Sequence, residues 1–395
     1  MSPIRVVFSI GAMHGGGSER QLVSLLHHLD RSRFAPSLYL VYRSGPLLNE
    51  VPDDVPIVAF EERDQRRHFY MPGSMHRRRV NDLSRYLIEN KADVSYDRTF
   101  LMTLIAAEAA QRVSTPNVST IVTDPSLGFA PVAGRFKWFK KRILRRLYSR
   151  SSAVVANSDG AARSAETFYG LKQNLVTTLY NGVDIARVRR SAELSVQNPW
   201  WNAQFSGRRV FRIVTAGRLN RQKGFHLLIE AVGLIRLSHP EIDIRLAILG
   251  EGAGRGDLES QINQAGLATS IQLMGFRHEA PAWYKSADLF VLPSFLEGMP
   301  NVLLEAMACG TPVLSTDCPS GPREILANGI CGALCNVGRV GALVTGVTSF
   351  LTDDSLKPKY VLEATNRIEA KFSIERATAK LEQILEDVVS QNPRV

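Results

Sequence analysis

Short β-branched runs alternate with longer amphipathic stretches along nearly the whole chain, and this alternation limits the possible folds more than any other feature. A parallel strand buried on both faces reads as a near-continuous apolar run, while a helix between two such strands carries a 3.6-residue period. IRVVFSI at 4–10 opens the series, and further strands are predicted near 36–42, 92–96, 117–123, 152–156 and 174–179. Helices are predicted between them near 18–29, 77–90, 101–112, 136–150 and 159–169. A second series has strands near 211–215, 242–249, 270–274, 287–292, 312–316 and 332–336, with helices near 224–237, 255–266, 300–309 and 338–351. The pattern predicts an α/β chain of two Rossmann-like, doubly wound domains, 1–180 and 209–372, with a weakly periodic connection at 181–208. A length of 395 residues allows two or three domains. The amphipathic stretch 373–391 predicts a final helix. Open parallel sheets place ligand sites at the carboxyl ends of their strands, so a cleft between the domains is the expected site.

Composition is that of a globular protein, with 45% apolar and 22% charged residues, but the charge is unevenly placed. Lys and Arg number 48 against 38 Asp and Glu, a net charge of +10. Residues 1–180 hold 25 basic and 16 acidic side chains, 181–395 hold 23 and 22, and the segment 135–150 alone holds eight basic and no acidic residues. Such a surplus suits a polyanion: nucleic acid, an anionic membrane surface or a phosphorylated ligand. Cys309, Cys318, Cys331 and Cys335 lack paired C-x-x-C spacing and nearby histidines, which predicts reduced thiols and no zinc site. No apolar run approaches the ~18 residues of a membrane-spanning helix. The stretch Ile4 to Ile10 is too short for a signal peptide, so a cytoplasmic protein is expected.

Three turns carry residues suited to chemistry. Gly11-Ala-Met-His-Gly-Gly-Gly-Ser18 joins the first strand to a helix, and its glycines allow close approach of backbone N–H groups to an anion; a tight turn without a ligand is the alternative. It is neither G-x-G-x-x-G nor a P-loop. After the strand 211–215, Ala216-Gly-Arg-Leu-Asn-Arg-Gln-Lys-Gly224 places Arg218 and Lys223 in a glycine-bounded loop, two cations suited to a diphosphate. In Phe295-Leu-Glu-Gly-Met-Pro-Asn-Val-Leu-Leu-Glu-Ala306, Pro300 suits the first turn of a helix. Met299, Asn301 and Val302 then form an amide-rich helix start, with Glu297 just outside it and Glu305 farther along. A carboxylate for hydroxyls, amides for phosphate and a second carboxylate for a diol follow the order of groups in a nucleotide sugar. A pair of solvated helix-end glutamates is the alternative.

Taken together, G-R-L-x-x-Q-K-G at 217–224, E-G-M-P-N-V-L-L-E-A at 297–306, N-G-V-D at 181–184 and G-G-x-E-R at 16–20 resemble glycosyltransferase family 4, retaining enzymes of the GT-B fold. D-C-P-S-G-P-R-E-I-L at 317–326 further resembles members that build bacterial cell-surface polysaccharides. The resemblance implies that Arg218 and Lys223, beside Gly217, neutralise a donor diphosphate. Glu305 would hold ribose hydroxyls, Glu297 would contact the donor sugar, and the amides of Gly298, Met299, Pro300's neighbour Asn301 and Val302 would complete the sugar-phosphate site. Gly275, Phe276 and Arg277 would lie against the nucleobase, and Gly15, Gly16 and Gly17 would approach phosphate or acceptor from the other domain. It also implies a final helix crossing back onto the N-terminal domain, and no cofactor or divalent metal; no D-x-D motif is present. Many relatives carry a histidine where this chain reads Thr123-Asp124-Pro125. Asp124 either replaces it by accepting a hydrogen bond from donor sugar or acceptor, or only caps the following turn.

The basic segment has Phe136, Phe139, Ile143 and Leu147 at helical spacing. The expectation is that this stripe packs inward while Arg135, Lys137, Trp138, Lys140, Lys141, Arg142, Arg145 and Arg146 meet anionic headgroups at the inner face of the plasma membrane. An ordinary sheet-covering helix is the alternative. Arg66-Arg67 and Arg77-Arg78-Arg79 are smaller basic clusters that would extend this surface or line the acceptor site. The leading reading is transfer of a sugar from a nucleoside diphosphate, UDP favoured, to a lipid-linked or membrane-borne saccharide acceptor in surface polysaccharide or lipopolysaccharide synthesis. A soluble acceptor is the runner-up. A dinucleotide oxidoreductase is disfavoured because no G-x-G-x-x-G follows a strand, and a nucleic-acid-binding protein because no reader motif appears.

Overall fold

The structure, a computed structural model, describes residues 2–64, 73–203 and 207–392. The chain forms two compact units, Met1–Gly182 with Ile374–Val395, and Val183–Ser373.

The first unit is built on seven parallel strands: β1 (Ile4–Ile10), β2 (Phe34–Leu40), β3 (Ile57–Ala59), β4 (Val94–Arg98), β5 (Asn117–Ile121), β6 (Ala153–Ala156) and β7 (Val176–Thr178). Their order is β3-β2-β1-β4-β5-β6-β7, which reverses direction of growth beside β1. Strand positions agree with the sequence pattern to within a few residues, and β3 is additional: three residues at an edge leave almost no periodic signal. The helix Ile374–Gln391 packs on this unit. Its Ile374, Leu381 and Leu385 share one core with Leu22, Leu26, Phe8 and Tyr96. Arg33 bridges Glu382 and Glu386, and Glu382 Oε1 also accepts the amide of Asp30 at 2.9 Å.

The second unit has six parallel strands: β8 (Arg209–Ala216), β9 (Ile242–Leu249), β10 (Ile271–Gly275), β11 (Leu289–Leu292), β12 (Val313–Thr316) and β13 (Ala333–Cys335), in the order β10-β9-β8-β11-β12-β13. From Val183 onward, the described part of the expected connection 181–208 belongs to this unit. Asp184 caps a helix, Ile185–Ala192, by accepting the Arg187 amide at 2.8 Å, and that helix packs on Ala280–Ser286 and Asn301–Ala308. Farther on, the buried Arg245 donates to the carbonyls of Trp200 and Ala203, and the Trp201 ring lies 5.2 Å from that of Trp283. Another unpredicted helix, Leu356–Lys371, carries Pro358 in its first turn, where a missing N–H costs no helical bond. All four cysteines are free, and burial pushes the Cys309 and Cys318 thiols up to about 12.

The basic segment departs from expectation. It forms a short turn, Gly134–Phe136, and a helix, Lys137–Tyr148, whose buried residues are Leu144, Leu147 and Tyr148. Phe136 (66% exposed), Trp138 (74%) and Phe139 (57%) face solvent, so the stripe does not pack inward along its whole length. A preceding helix, Pro125–Ala133, puts Phe129 and Ala133 into the same core as Leu144, Leu147 and Tyr148. Lys140 donates to the Ala133 carbonyl at 2.9 Å and Lys141 lies 3.9 Å from the centre of the Phe168 ring. Arg135, Lys137, Arg142, Arg145 and Arg146 are exposed. Of the smaller clusters, Arg66-Arg67 lies outside the described residues. Arg78 pairs with Asp64, and Arg79 donates to Tyr42 Oη at 2.6 Å, so both are engaged within the unit. Among the described residues no helix is long and apolar enough to cross a membrane.

Candidate functional site

Five loops leave the carboxyl ends of neighbouring strands in the second unit, and backbone bonds tie four of them into one surface. The loop after β8 turns through Arg221–Lys223, with Asn220 Oδ1 accepting the Lys223 amide at 3.3 Å. Gly224 follows at φ +67°, and a Cβ there would stand 2.0 Å from the Pro293 carbonyl oxygen, so only glycine lets this loop touch the one after β11. The Phe295 amide bonds Gln222 O at 2.8 Å, and Gln222 Nε2 bonds Leu296 O at 2.8 Å. On the other side, Leu219 bonds Glu251 O at 3.0 Å and Gly250 bonds Gly275 O at 2.7 Å, which joins the loops after β8, β9 and β10.

These bonds bring Lys223 Nζ to 2.6 Å from Glu297 Oε1, and Ser294 Oγ donates to the same oxygen at 2.6 Å. Glu297 is 7% exposed. Arg218 is exposed and makes no ion pair among the described residues. The two cations read as a diphosphate pair are therefore unlike: one is held by a buried carboxylate and the other is open to a ligand. Gly298 and Met299 are buried and lead to Pro300, which stands at the cap of the helix Asn301–Ala308, one position earlier than expected from its first-turn preference. The helix start directs the partial positive charge of its first amides, at Asn301 and Val302, to the loop side. Glu305 is half-buried about one turn inside. Gly321, at φ +77°, comes so near that its Cβ would stand 2.4 Å from Gly298 O, so the loop after β12 buttresses this segment. Phe276 is 47% exposed, edge-on to His278 at 4.8 Å, and Arg277 reaches over the Trp283 ring at 6.0 Å.

The sequence reading missed Ser294, Gly321 and the run Gly250-Glu-Gly-Ala-Gly254 after β9. The glycine run was readable as a strand-end loop; the partner of Ser294 was not. Arg218, Lys223, Gly217, Gly275 to Arg277, Glu297 to Val302 and Glu305 all lie on this second-unit surface. Gly16, Gly17 and Asp124 belong to the first unit. There, Gly16 caps the helix Gly17–His28, so the glycine loop does end at a helix start. Asp124 caps Pro125–Ala133: its Oδ1 accepts the Ser126 amide at 2.9 Å, the Ser126 hydroxyl at 2.6 Å and the Ser164 hydroxyl. Asp124 thus caps the helix that follows it through one of its two carboxylate oxygens. Among the described residues no three His, Cys, Asp or Glu side chains group as metal ligands.

Comparison with known proteins agrees with this arrangement. Residues 15–187 match the family described as Glycosyltransferase Family 4, and residues 210–353 match Glycosyl transferases group 1. An N-acetylgalactosaminyltransferase of Campylobacter jejuni, named for an acceptor on diphospho-undecaprenol, is 26% identical over 62% of this chain and 63% of its own length. A D-inositol 3-phosphate glycosyltransferase of Paenarthrobacter aurescens is 32% identical over 51% of this chain and 47% of its own. The chain thus spans about half to just under two thirds of these curated relatives. The structure of Anabaena HepE with UDP and glucose superposes with a TM-score of 0.79 at 21% identity, covering 97% of this chain and 99% of that one. Two parallel-sheet units, a strand-end site and matches over most of both units place this chain among the family 4 and group 1 glycosyltransferases, on the GT-B fold.

Proposed function

We propose that the protein is a retaining glycosyltransferase that moves a sugar from a UDP-sugar to a lipid-linked saccharide at the cytoplasmic face of a membrane, in cell-surface glycan synthesis. The observation that carries the donor half is the buried contact of Lys223 with Glu297 beside the helix start at Asn301. As the bond from sugar to phosphate breaks, negative charge grows on the departing diphosphate. Arg218, Lys223 and the helix-end amides stabilise that charge where it develops, from fixed positions. The proposal assigns this work to protein groups and calls for no metal or other cofactor. Glu297 accepts from a sugar hydroxyl, Glu305 from the ribose, and the exposed Phe276 offers a face to the base. Within the first unit, the loop at Gly16 and Gly17 approaches a phosphate or the acceptor, and Asp124 keeps one oxygen for donor or acceptor while the other caps its helix.

For the acceptor, the supporting observation is the exposed trio Phe136, Trp138 and Phe139 among exposed cations. Large apolar side chains left in water beside Lys and Arg suit an anionic lipid surface. The Campylobacter relative, named for a lipid-linked acceptor, supports the same reading, and the Paenarthrobacter one supports a soluble acceptor. Two experiments test the proposal. Thermal-shift screening against UDP, GDP and ADP should give the largest rise with UDP, since a ligand bound only by the folded state stabilises it. Replacing Phe136, Trp138 and Phe139 together by Ser should abolish sedimentation with phosphatidylglycerol vesicles and leave UDP binding unchanged. Undiminished sedimentation would favour the soluble acceptor.

A further inference from the structure

Glu297 has its two carboxylate oxygens in different situations. Oε1 takes hydrogen bonds from both Lys223 Nζ and Ser294 Oγ, each at 2.6 Å. Oε2 takes none among the described residues and is not sealed from solvent. Ser294 is itself fully buried, and its place is fixed from beneath: Thr316 Oγ1, at the end of β12, lies 2.5 Å from the Ser294 carbonyl oxygen and 3.2 Å from that of Leu292. The chain of contacts runs from the sheet, through Thr316 and Ser294, to one oxygen of Glu297.

We propose that Ser294 is a positioning residue for sugar transfer, which holds Glu297 Oε1 so that Oε2 is presented to a hydroxyl of the donor sugar. The inference rests on the donor-site reading above and extends it to a residue outside the segments 217–224 and 297–306. A lysine that must also neutralise a diphosphate divides its three hydrogens between phosphate and carboxylate, and its grip on Glu297 weakens when the donor is bound. Ser294 has no such second demand. Its hydroxyl is buried and its backbone carbonyl is held by Thr316, so it keeps the carboxylate oriented while Lys223 is shared. A bond from a hydroxyl to a charged oxygen is among the stronger kinds, and its loss in a water-poor site costs orientation as well as energy.

The test compares S294A, S294T, T316V and E297Q as full-length proteins, with UDP release from UDP-glucose as the transfer readout and calorimetric titration of UDP as the binding readout. S294A is expected to lower kcat about ten-fold with a change in UDP affinity of less than three-fold. S294T, which keeps the hydroxyl, is expected to recover most of the rate, and T316V to lose rate in the same direction but less. Wild-type turnover in S294A overturns the proposal when E297Q is inactive. Parallel loss of UDP affinity and rate in S294A also overturns it, since that is the mark of a merely structural serine. If E297Q turns over normally, or the wild type neither binds UDP nor releases it, the donor-site reading fails instead.

Discussion

Truncation of Lys223 to alanine separates what this side chain does for the fold from what it does for a ligand. In the structure Lys223 and Glu297 are 18% and 8% exposed at their side chains, and their closest approach is 2.6 Å. Removing one member of a buried pair costs roughly 3–5 kcal/mol, because the remaining charge is left without its counterpart. Here Ser294 still donates to the same carboxylate oxygen, and Lys223 is not wholly buried, so about 2–3 kcal/mol is expected. For a unit the size of Val183–Ser373 that corresponds to a fall of roughly 5–10 °C in its melting transition. The double variant K223A/E297Q removes the orphaned charge and should regain most of that loss. It should not regain affinity for UDP, because the cation that meets the diphosphate is still missing. Calorimetric melting and UDP titration of the two single variants and the double variant complete the cycle. A double variant as unstable as K223A, or a K223A protein that melts like the wild type, would refute the reasoning.

Other expectations follow from single positions. Gly321→Ala combines a left-handed backbone with a Cβ placed 2.4 Å from Gly298 O, so it should destabilise the second unit by about 3 kcal/mol and weaken UDP binding, read by melting and titration. Asp97, on β4, is fully buried, and desolvation pushes its carboxyl up to about 7 despite hydrogen bonds from Thr103 and Ser119. The folded state therefore holds a proton that the unfolded chain has lost, stability of the first unit falls as pH rises from about 4 to about 7, and it levels off above. Asp97→Asn should flatten that slope in urea titrations; an unchanged slope would show that Asp97 does not cause it. Asp124→Asn should keep the helix cap, as Asn caps about as well as Asp, whereas Asp124→Ala should cost about 1 kcal/mol. A loss of transfer in both variants, with UDP affinity kept, would support a role beyond capping; loss in the alanine variant alone would assign it to the cap.

The sheets were legible because their strands are short, mostly apolar runs such as IRVVFSI and IDIRLAIL, and the matching helices are long and periodic. The misses have separate physical causes. Residues 185–192 read IARVRRSA, whose few apolar positions bury on Ala280–Ser286 and Asn301–Ala308, elements far away in sequence. Pro125, Gly128 and Pro131 disguise the helix 125–133, and with it hidden the aromatic stripe of the next helix looked like a core face. Periodicity picked out Phe136, Phe139, Ile143 and Leu147 as the apolar face, whereas packing buries Leu144, Leu147 and Tyr148. At the site, the types and order of Arg218, Lys223, Glu297 and Glu305 were readable. Contact of Lys223 with Glu297 was not, because it depends on Gly224 fitting against Pro293 across two loops.

The central claim is that the strand-end loops of the second unit bind the diphosphate of a nucleotide. Calorimetric titration of UDP into the wild type and into Arg218→Ala tests it most directly, because Arg218 is exposed and its loss leaves the unit's own contacts intact. The account predicts binding by the wild type and at least a ten-fold weaker Kd in the variant, the scale of one charge-assisted contact. Equal affinity in the two proteins would contradict it.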